Sequence, residues 1–491
     1  MSARRNTLYN LAGAALPIAV SFLTVPAYLS RIGDARFGIL SVAWLLLGYF
    51  GILDLGLGMA TAQQVAAREK EGRATQARIF WTALLTNASL GIAGGLVAWP
   101  IAQLYFGHAL KVTGDIRGET MVALPWLIVA VPLAMVAGVL TGTLQGLHRF
   151  ASLNAISFIG TVIFQVLPLA AAAFWSPSLT VVLPIAIGAR ALTVVLLWFE
   201  CHRHLLRGYP VAYHRSELRS LLRFGFWITV SVLFVPVMSL IDRFVIGAFI
   251  SAAAVSAYVI PYNLAERVCI LGNSAGAALF PRFSSLSKQQ TIELAYRSER
   301  TLLAIMVIAS VAAIYLVRPF ITIWISPGFA NKSSHAAEIL MAGIWLESLS
   351  RIPLHALRGQ FRPAAVARID LTVMIPFWLV LYMLIRTNGI EGVAAAYVFR
   401  VGVTYLLLAS AIGTLARMLR MVMLTAALVL ASVVAARLLH PLSVGWDLAF
   451  IGSIAIGLLL AFRFLPPSQR EELVGRLHAT LVSIRARRRA Q

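Results

Sequence analysis

Apolar runs of about 20 residues recur along the whole chain, and this is the length that an α-helix needs to cross the hydrocarbon core of a bilayer. Backbone groups inside a bilayer must form hydrogen bonds within their own segment, so such runs fold as membrane-spanning helices. Only 12% of the residues are charged and the mean hydropathy is +0.84, which leaves no segment for a large soluble domain. The pattern predicts an all-α polytopic membrane protein.

We count about fourteen apolar spans joined by short connections, which favour antiparallel neighbours in a helix bundle. The first span is too long for a signal-peptide core and lacks a clear small-residue cleavage site, so we expect it to be retained. The spans are predicted to start near Leu8, Phe37, Ile79, Thr120, Asn154, Leu179, Phe224, Ala252, Leu302, Ala336, Leu371, Ile390, Met421 and Leu448.

Basic residues are distributed unequally between the two ends of these spans. With the N-terminus placed in the cytoplasm, 28 of the 41 Lys and Arg residues fall in inner segments and 6 in outer segments. Basic residues concentrate in the cytoplasmic connections of membrane proteins. We therefore expect both termini in the cytoplasm, and this asymmetry accounts for most of the net charge of +22 without nucleic acid as a partner.

A weak internal repeat relates the two halves of the chain. Residues 143–149 resemble residues 356–362 at an offset of 213, and residues 190–197 resemble residues 400–407 at an offset of 210. The offset spans six predicted helices, an even number, so both halves have the same orientation in the membrane. This predicts a parallel repeat whose two lobes surround a central cavity.

The repeat also predicts how the chain divides into domains. Helices 13 and 14 fall outside the repeat, and the polar C-terminal segment that follows them is rich in arginine. The predicted domains are an N-lobe of helices 1–6 over residues 1–205, a C-lobe of helices 7–12 over residues 206–415, helices 13–14 over residues 416–465, and a basic cytoplasmic tail over residues 466–491.

The first two predicted helices carry a recognisable pattern. It consists of Asn10-x-x-Gly13-x-x-x-Pro17, Pro26-Ala-Tyr28-Leu-Ser-Arg-Ile-Gly33, Phe37-Gly38-Ile39, Leu53-Asp54-Leu55-Gly56-Leu57-Gly58 and the charged loop Ala67-Arg-Glu-Lys-Glu-Gly72. The pattern resembles the polysaccharide transporters of the multidrug/oligosaccharidyl-lipid/polysaccharide flippase superfamily. Within that superfamily it is most similar to the O-antigen and exopolysaccharide flippases of the bacterial inner membrane.

This resemblance implies a function in surface polysaccharide synthesis. The family moves undecaprenyl-pyrophosphate-linked oligosaccharides from the inner to the outer leaflet, by alternating access through a central cavity between two six-helix lobes. The implied partners are the lipid-linked oligosaccharide and the bilayer, with a polysaccharide polymerase complex as a further candidate. We expect a bacterial inner-membrane location, no enzymatic activity, and neither a cofactor nor a metal, with H⁺ or Na⁺ as the candidate coupling ion.

Seven arginines and four acidic residues remain inside the predicted spans, an excess of about three positive charges. A charged side chain at the bilayer centre costs about 2.5–3.5 kcal/mol on insertion scales, so such residues are expected to pair or to serve transport. A guanidinium presents a planar fork of donors that matches phosphate oxygens, so the excess favours an anionic head group in a cationic cavity. The charges are Arg190, Arg243, Arg267, Arg318, Arg351, Arg400, Arg437, Asp54, Asp242, Glu266 and Glu347.

The depth of each charged residue within its predicted span distinguishes candidates for a functional site from residues near the membrane surface. Arg318 and Arg437 lie close enough to the outer ends of their spans to extend their guanidinium groups to the membrane surface. The candidates for substrate binding in the cavity are Arg267, Arg351, Arg243, Arg190 and Arg400. The candidates for ion coupling or gating are Asp54, Glu266, Glu347 and Asp242.

One of these assignments also draws on a second resemblance. The segment Tyr262-Asn-Leu-Ala-Glu266-Arg267 is similar to an acid–Arg pair in the corresponding helix of lipid II flippases. In those proteins the arginine lies in the cavity and is thought to meet the diphosphate. The spacing downstream of Arg267 is shorter in this chain. The resemblance implies that Arg267 contacts the pyrophosphate of the substrate.

Structural roles are alternatives for several candidates. Glu347 and Arg351 are four residues apart on one helix and can neutralise each other. Arg190 and Arg400 occupy matching repeat positions, where they either line the cavity or each anchor the last helix of a lobe. For Asp54 we expect a structural or gating ion pair with a mid-span arginine, because a carboxylate beside a pyrophosphate would repel it. Proton or sodium binding by Asp54 is the alternative.

The glycines around Asp54 suggest close packing of the second helix. The run Gly48–Ala60 contains four glycines at 48, 51, 56 and 58, which give the helix a slim face. We interpret this face as one that lets the two lobes approach and separate. Bulky substitutions at Gly56 or Gly58 are expected to impair transport.

Three other functions compete with this interpretation. A drug or cation antiporter of the same superfamily would share the fold, but a cationic substrate favours acidic rather than basic residues in the cavity. A lipid II flippase also often has fourteen helices, although the pattern in the first two helices matches the polysaccharide group better. A membrane-embedded glycosyltransferase would need a catalytic motif such as Asp-x-Asp, and the sequence contains neither this motif nor a Walker sequence.

Overall fold

In the computed structural model, the chain is described over residues 3–50, 56–112, 114–219, 221, 234–360, 363–467 and 469–472. The regular elements within these ranges are all helices, which confirms the predicted all-α class. The segment that contains Asp54 lies outside the described residues. The chain forms two compact units, unit 1 over Met1–Val259 and unit 2 over Ile260–Gln491.

Unit 1 is organised around its fourth helix. This helix, α4, packs against α2, α3 and α6, while α5 packs against α1 and α6. The helices of unit 1 are α1 (Ala3–Phe50), α2 (Leu57–Ala67), α3 (Arg73–Leu104), α4 (Gly114–Gly146), α5 (Phe150–Phe174), α6 (Leu179–Cys201) and α7 (Phe234–Phe249).

Unit 2 is organised around α11 in the same way. This helix packs against α9, α10 and α12, and α13 and α14 pack against α10. Helix α8 begins in unit 1 and ends in unit 2. The remaining helices are α8 (Ala252–Val268), α9 (Ile270–Ser285), α10 (Lys288–Trp324), α11 (Pro327–Gly359), α12 (Pro363–Ile412), α13 (Leu415–Leu438) and α14 (Val444–Phe464).

The central helices of the two units correspond to each other in sequence. Helix α4 starts at Gly114 and ends at Gly146, and α11 starts and ends 213 residues later, at Pro327 and Gly359. The offset equals the one between the similar segments 143–149 and 356–362. The predicted domain boundaries after residues 205 and 415, and the placement of two lobes around a cavity, stay predictions.

Eight of the described helices are long and apolar enough to span a membrane by length and composition, in agreement with a multi-pass membrane protein. Thirteen of the predicted span starts lie within described helices, and Phe224 lies outside the described residues. The number of fourteen spans stays a prediction. The eight candidate spans are Arg73–Ala109, Gly114–Gly146, Phe150–Phe174, Leu179–Leu206, Lys288–Trp324, Ala364–Ile412, Leu415–Leu438 and Val444–Phe464.

Two of the longest helices, α1 and α12, each contain two predicted spans because a glycine interrupts them. Gly33 has a φ of +78° and Gly389 has a φ of +56°, conformations that residues with a Cβ rarely adopt. After the second break the chain turns back, so a Cβ at Gly392 would lie only 2.0 Å from the carbonyl oxygen of Leu384. Each glycine therefore lies between two helical segments, which correspond to the two spans predicted there from the sequence.

An ion pair joins three helices of unit 1 at the end that the sequence predicts to be outer. Arg36 donates two hydrogen bonds to Glu119 in α4, at 2.8 and 2.6 Å. The same carboxylate accepts a hydrogen bond from the backbone N–H of Leu179 at the start of α6, at 3.1 Å. Paired, charge-assisted bonds of this kind fix geometry as well as adding energy.

A buried carboxylate in unit 2 was missed by the sequence pattern. Glu299 is fully buried, and its oxygens accept hydrogen bonds from the hydroxyls of Tyr405 at 3.0 Å and Thr414 at 2.9 Å. Helix α10 already begins at Lys288, well before the predicted span start at Leu302, so Glu299 lies inside the helix rather than in a connection. The two donors tie α10 to α12 and to the start of α13.

Tyr405→Phe is expected to destabilise unit 2, because it removes one of the two donors to a buried carboxylate. Loss of such a partner costs about 1–3 kcal/mol. The measurement is the thermal unfolding midpoint of the purified protein, which should fall. Tyr213→Phe is the control, because Tyr213 is 50% exposed and its hydroxyl makes no hydrogen bond to a described residue. Equal midpoints for Tyr405→Phe and wild type would contradict the role assigned to Glu299.

Candidate functional site

The central helix of unit 2 carries most of a charged cluster. Pro327 occupies the first turn of α11, and the side chain of Ser326 caps it by accepting a hydrogen bond from the N–H of Phe329. Pro327 and the Ser326 cap fix the residue at which α11 begins. The helix packs on α9, α10 and α12. We define the unit 2 charge cluster as Glu347, Arg351, Arg358, Asp370 and Arg400.

An intrahelical ion pair lies at the centre of the cluster. Arg351 Nη2 lies 2.6 Å from Glu347 Oε1, one helical turn away, with the Glu347 side chain 19% exposed and that of Arg351 29% exposed. The other carboxylate oxygen of Glu347 accepts a hydrogen bond of 2.5 Å from the hydroxyl of Tyr397 in α12. Glu347 is therefore held from two directions, by its own helix and by the neighbouring one.

Arg400 approaches the same carboxylate from α12. Its guanidinium carbon lies 5.4 Å from the ring centre of Tyr397 and 5.6 Å from that of Phe377. Arginine on aromatic faces is favoured electrostatically, and more so where water is excluded. Glu347 interacts electrostatically with both Arg351 and Arg400. The structure thus brings together three of the residues that the sequence selects separately.

Two further charged residues belong to this cluster and were missed from the sequence. Asp370 interacts electrostatically with Arg358, Arg400 and Arg351. The sequence pattern placed both Asp370 and Arg358 in the connection between two spans. In the structure α11 extends to Gly359 and α12 begins at Pro363, so both residues lie on helices.

The cluster has an excess of one positive charge, with three arginines against two carboxylates. The Nε–H of Arg351 is buried and has no hydrogen-bond partner among the described residues. A buried donor of this kind generally has a hydrogen-bond partner, and a guanidinium Nε–H suits an anionic acceptor. The arrangement is suited chemically to contact an anion.

Close packing of α9 against α11 fixes the backbone next to the ion pair. A Cβ added at Gly272 would lie 2.7 Å from the Cα of Ser348, and one at Gly276 would lie 3.1 Å from the carbonyl oxygen of Arg351. Helices that approach this closely leave no room for side chains between them. The α11 segment that carries Glu347 and Arg351 is therefore held rigidly by its neighbour.

The positions of α4 that match the central ion pair in the repeat are uncharged. At the repeat offset of 213, Glu347 and Arg351 correspond to Ala134 and Gly138 in α4. Arg190, which matches Arg400 in the repeat, is partly buried in α6 and forms no hydrogen bond or ion pair with a described residue. The predicted symmetric role of the two arginines stays a prediction, and their surroundings differ.

Two further pairs of candidates lie on α7 and α8. Asp242 and Arg243 are buried in unit 1, where the hydroxyl of Tyr258 donates a hydrogen bond of 3.2 Å to Asp242. Glu266 and Arg267 are exposed near the end of α8. Cys269 interacts electrostatically with Glu266 as well as with Glu347 and Arg351, so Glu266 lies near the unit 2 charge cluster.

Metal binding has no support from the part of the chain that the structure describes. Within that part, no group of three or more His, Cys, Asp and Glu side chains is arranged to hold a metal ion. The two cysteines, Cys201 and Cys269, are buried free thiols. The chemistry of the described site is that of arginines, carboxylates and tyrosine hydroxyls.

Comparisons with known proteins identify relatives at the levels of sequence and fold. The sequence model of the family described as polysaccharide biosynthesis protein matches residues 3–287, more than half of the chain. A putative O-antigen transporter from Shigella flexneri is 24% identical over 411 residues, which cover 83% of this chain and 97% of the relative.

Solved structures with a similar fold include two transporters. Lipid II flippase MurJ, in an inward closed conformation, has a TM-score of 0.68 and 13% identity, covering 95% of this chain and 100% of that chain. An inward-facing multidrug resistance MATE family transporter of the MOP superfamily has a TM-score of 0.58 and 18% identity, covering 85% of this chain and 96% of that chain. At these identities the similarity establishes the fold.

Proposed function

The chain belongs to the polysaccharide biosynthesis protein family, and from this premise we propose that it is a flippase for lipid-linked oligosaccharides. The observation that carries the proposal is the unit 2 charge cluster on α11 and α12, in which arginines outnumber carboxylates. Most of α12 is a candidate membrane span, Ala364–Ile412. The similarity to a putative O-antigen transporter and the fold shared with a lipid II flippase support the same role. The product of its action is a substrate for surface polysaccharide synthesis.

The proposed substrate is an undecaprenyl-pyrophosphate-linked oligosaccharide, which moves from the inner to the outer leaflet of the bacterial inner membrane. Its pyrophosphate is anionic, and the guanidinium forks of Arg351 and Arg400 suit phosphate oxygens. The polyprenyl chain can remain in the lipid while the head group crosses through a cationic cavity between two lobes. Both chain termini are placed in the cytoplasm.

We propose that Arg351 exchanges partners during transport. Without substrate it is neutralised by Glu347, and with substrate it turns to the pyrophosphate. Glu347 then loses one of its two contacts and keeps the hydrogen bond from Tyr397. A carboxylate that loses one of its two counter-charges in a low-dielectric setting binds a proton more readily, which would couple proton movement to substrate release. Sodium is the alternative coupling ion.

The remaining candidates have supporting roles in this proposal. Arg267, exposed near the end of α8, is proposed to contact the pyrophosphate before or after Arg351. The other arginines are proposed to line or stabilise the path, and the other acids to gate it or to bind the coupling ion. These residues are Arg243, Arg190, Asp54, Glu266 and Asp242.

The competing functions make different predictions. A drug or cation antiporter would need an excess of acidic residues at its site, whereas the unit 2 charge cluster has an excess of arginine. A lipid II flippase would handle the same pyrophosphate with a different sugar, so the glycan rather than the charge distinguishes it. We infer a transporter rather than an enzyme such as a glycosyltransferase. A polymerase complex is a proposed partner that receives the flipped lipid.

Deletion of the gene, followed by lipid analysis, tests the proposed function. We expect loss of a surface polysaccharide and accumulation of an undecaprenyl-pyrophosphate-linked oligosaccharide on the inner leaflet. Sensitivity to cationic drugs should stay at the wild-type level. Increased drug sensitivity with normal polysaccharide would instead support the antiporter.

Arg267→Ala is expected to abolish surface polysaccharide while the protein still inserts into the membrane. The expected reason is loss of a guanidinium that contacts pyrophosphate, not loss of a structural pair, since Arg267 makes no hydrogen bond or ion pair with a described residue. Arg282→Ala, which removes an exposed arginine at the end of α9, should leave the polymer level unchanged. Normal polymer in the Arg267→Ala strain would exclude Arg267 from the site.

A further inference from the structure

A pocket of about 480 Å³ lies between α5 and α6 of unit 1, at the end where α5 begins and α6 finishes. The sequence predicts this end to be cytoplasmic, because the connection that follows α6 is one of the most basic in the chain. The pocket plays no part in the proposed transport mechanism.

One wall of the pocket is apolar. It is formed by Ile156 from α5 with Leu196 and Phe199 from α6, and the Phe199 side chain is 64% exposed. Both helices are candidate membrane spans, so apolar side chains exposed on their outer surfaces face lipid. The wall is therefore placed to contact acyl chains at the edge of the bilayer.

The opposite side of the pocket is basic. His202, Arg203 and Arg207 line it, and all three are exposed without a hydrogen bond or ion pair to a described residue. They lie on or just after a π-helical turn, His202–Leu206. Leu205 and Leu206 of the same turn are buried in the core of unit 1, which anchors it. The anchored turn directs the two arginines outward.

The acidic residue that lines the pocket is already engaged. Glu200 lies 3.2 Å from His204, and it also accepts a hydrogen bond from the side chain of Ser152. The nearby Arg149 contacts the ring of His204 at 2.6 Å. Glu200 also interacts electrostatically with Arg203, and with one carboxylate against two arginines the lining of the pocket keeps a net positive charge.

We propose that this pocket binds an anionic phospholipid of the inner leaflet. The phosphate of the headgroup would contact Arg203 and Arg207, and the acyl chains would lie along Ile156, Leu196 and Phe199. Basic pockets at the cytoplasmic ends of membrane-spanning helices are suited to such headgroups. The apolar wall selects a lipid over a free phosphate. The bound lipid would fix the position of the α5–α6 end of unit 1 in the membrane.

The test uses the full-length protein in nanodiscs and dioleoylphosphatidylglycerol with a photoreactive acyl chain. We expect crosslinks on peptides that contain residues 150–156 and 196–207. The double variant Arg203→Ala/Arg207→Ala should lose about ten-fold or more of this labelling, whereas Arg203→Lys/Arg207→Lys should keep most of it. The matched control, Arg215→Ala/Arg219→Ala, removes the same charge from exposed positions outside the pocket and should label like wild type.

Three results would overturn the proposal. Equal loss of labelling in the two double alanine variants would mean that general charge attraction is responsible. Equal labelling by a photoreactive phosphatidylcholine would exclude recognition of an anionic headgroup. Full competition by glycerophosphoglycerol, the headgroup without acyl chains, would assign the pocket to a soluble phosphate compound. The outcome is independent of transport, because labelling is measured without the oligosaccharide.

Discussion

Replacement of Arg351 by alanine is expected to reduce oligosaccharide translocation about ten-fold or more, since it removes the charge-assisted bonds proposed to reach the pyrophosphate. Arg351 pairs with Glu347 at 2.6 Å and has a buried Nε–H without a partner among the described residues. Arg351→Lys keeps the charge and loses the planar fork, so it should be intermediate. The measurement is the rate of translocation by purified protein in vesicles.

The control for this prediction is Arg437→Ala. Arg437 also belongs to unit 2 and forms ion pairs, with Glu391 and with the buried Glu338, but it lies outside the unit 2 charge cluster. The substitution breaks both ion pairs of Arg437 and removes one positive charge, the same change in charge as Arg351→Ala. We expect translocation by Arg437→Ala to stay close to that of wild type once the amount of folded protein is taken into account.

A double variant separates a structural ion pair from a substrate site. Loss of one partner of a buried pair costs about 3–5 kcal/mol, whereas replacement of both partners is often close to neutral. Glu347→Gln/Arg351→Gln should therefore unfold at a temperature close to that of wild type and still fail to translocate. Normal translocation by this double variant would show that the pair serves only the structure.

The second large effect is expected from Gly142→Leu, which should prevent unit 1 from folding normally. A Cβ at Gly142 would lie 2.0 Å from the carbonyl oxygen of Gly58, so α2 and α4 would have to move apart. Overpacking of a close contact costs about 1–3 kcal/mol and occasionally more. The measurement is the yield of monodisperse protein and its unfolding temperature.

A helical glycine with free space around it provides the control. A Cβ at Gly188, in α6, would have no neighbour within 4 Å, so Gly188→Leu should give normal yield. The contact between Gly142 and Gly58 also explains why a bulky substitution at Gly58 is predicted to impair transport. A leucine at position 56 is unfavourable for a different reason, because Gly56 has a φ of +65°, which residues with a side chain rarely adopt. Normal stability of Gly142→Leu would mean that α2 and α4 are not packed as described.

Helix content was predictable from the sequence because each span is long and apolar, but helix ends were not. The predicted spans began at Leu302 and Leu371, whereas α10 and α12 begin at Lys288 and Pro363. The difference arises because the first turns of α10 are polar and charged, and because α12 carries Arg368 and Asp370 near its start, so hydropathy does not reveal these helix ends. This is why Glu299 and Asp370 were assigned to connections.

The site was predictable in part. The spacing of Glu347 and Arg351 on one helix made their pairing an explicit alternative, and the structure contains that pair. The proximity of Arg400 depends on the break at Gly389, which sets how the second half of α12 returns toward α11. Tyr397 and Arg400 are three residues apart on α12, so sequence spacing could place them next to each other. It could not place both beside Glu347, because those contacts depend on the packing of α12 against α11.

The most direct test of the central claim is flipping of a fluorescent undecaprenyl-pyrophosphate-linked oligosaccharide in proteoliposomes. The dye is placed on the sugar, and dithionite added outside reduces only the lipids whose sugar lies in the outer leaflet. With wild-type protein we predict reduction of nearly all of the dye, and with Arg351→Ala of about half, as in protein-free vesicles with dye in both leaflets. Reduction of half of the dye with wild-type protein, or of nearly all of it with Glu347→Gln/Arg351→Gln, would contradict the account.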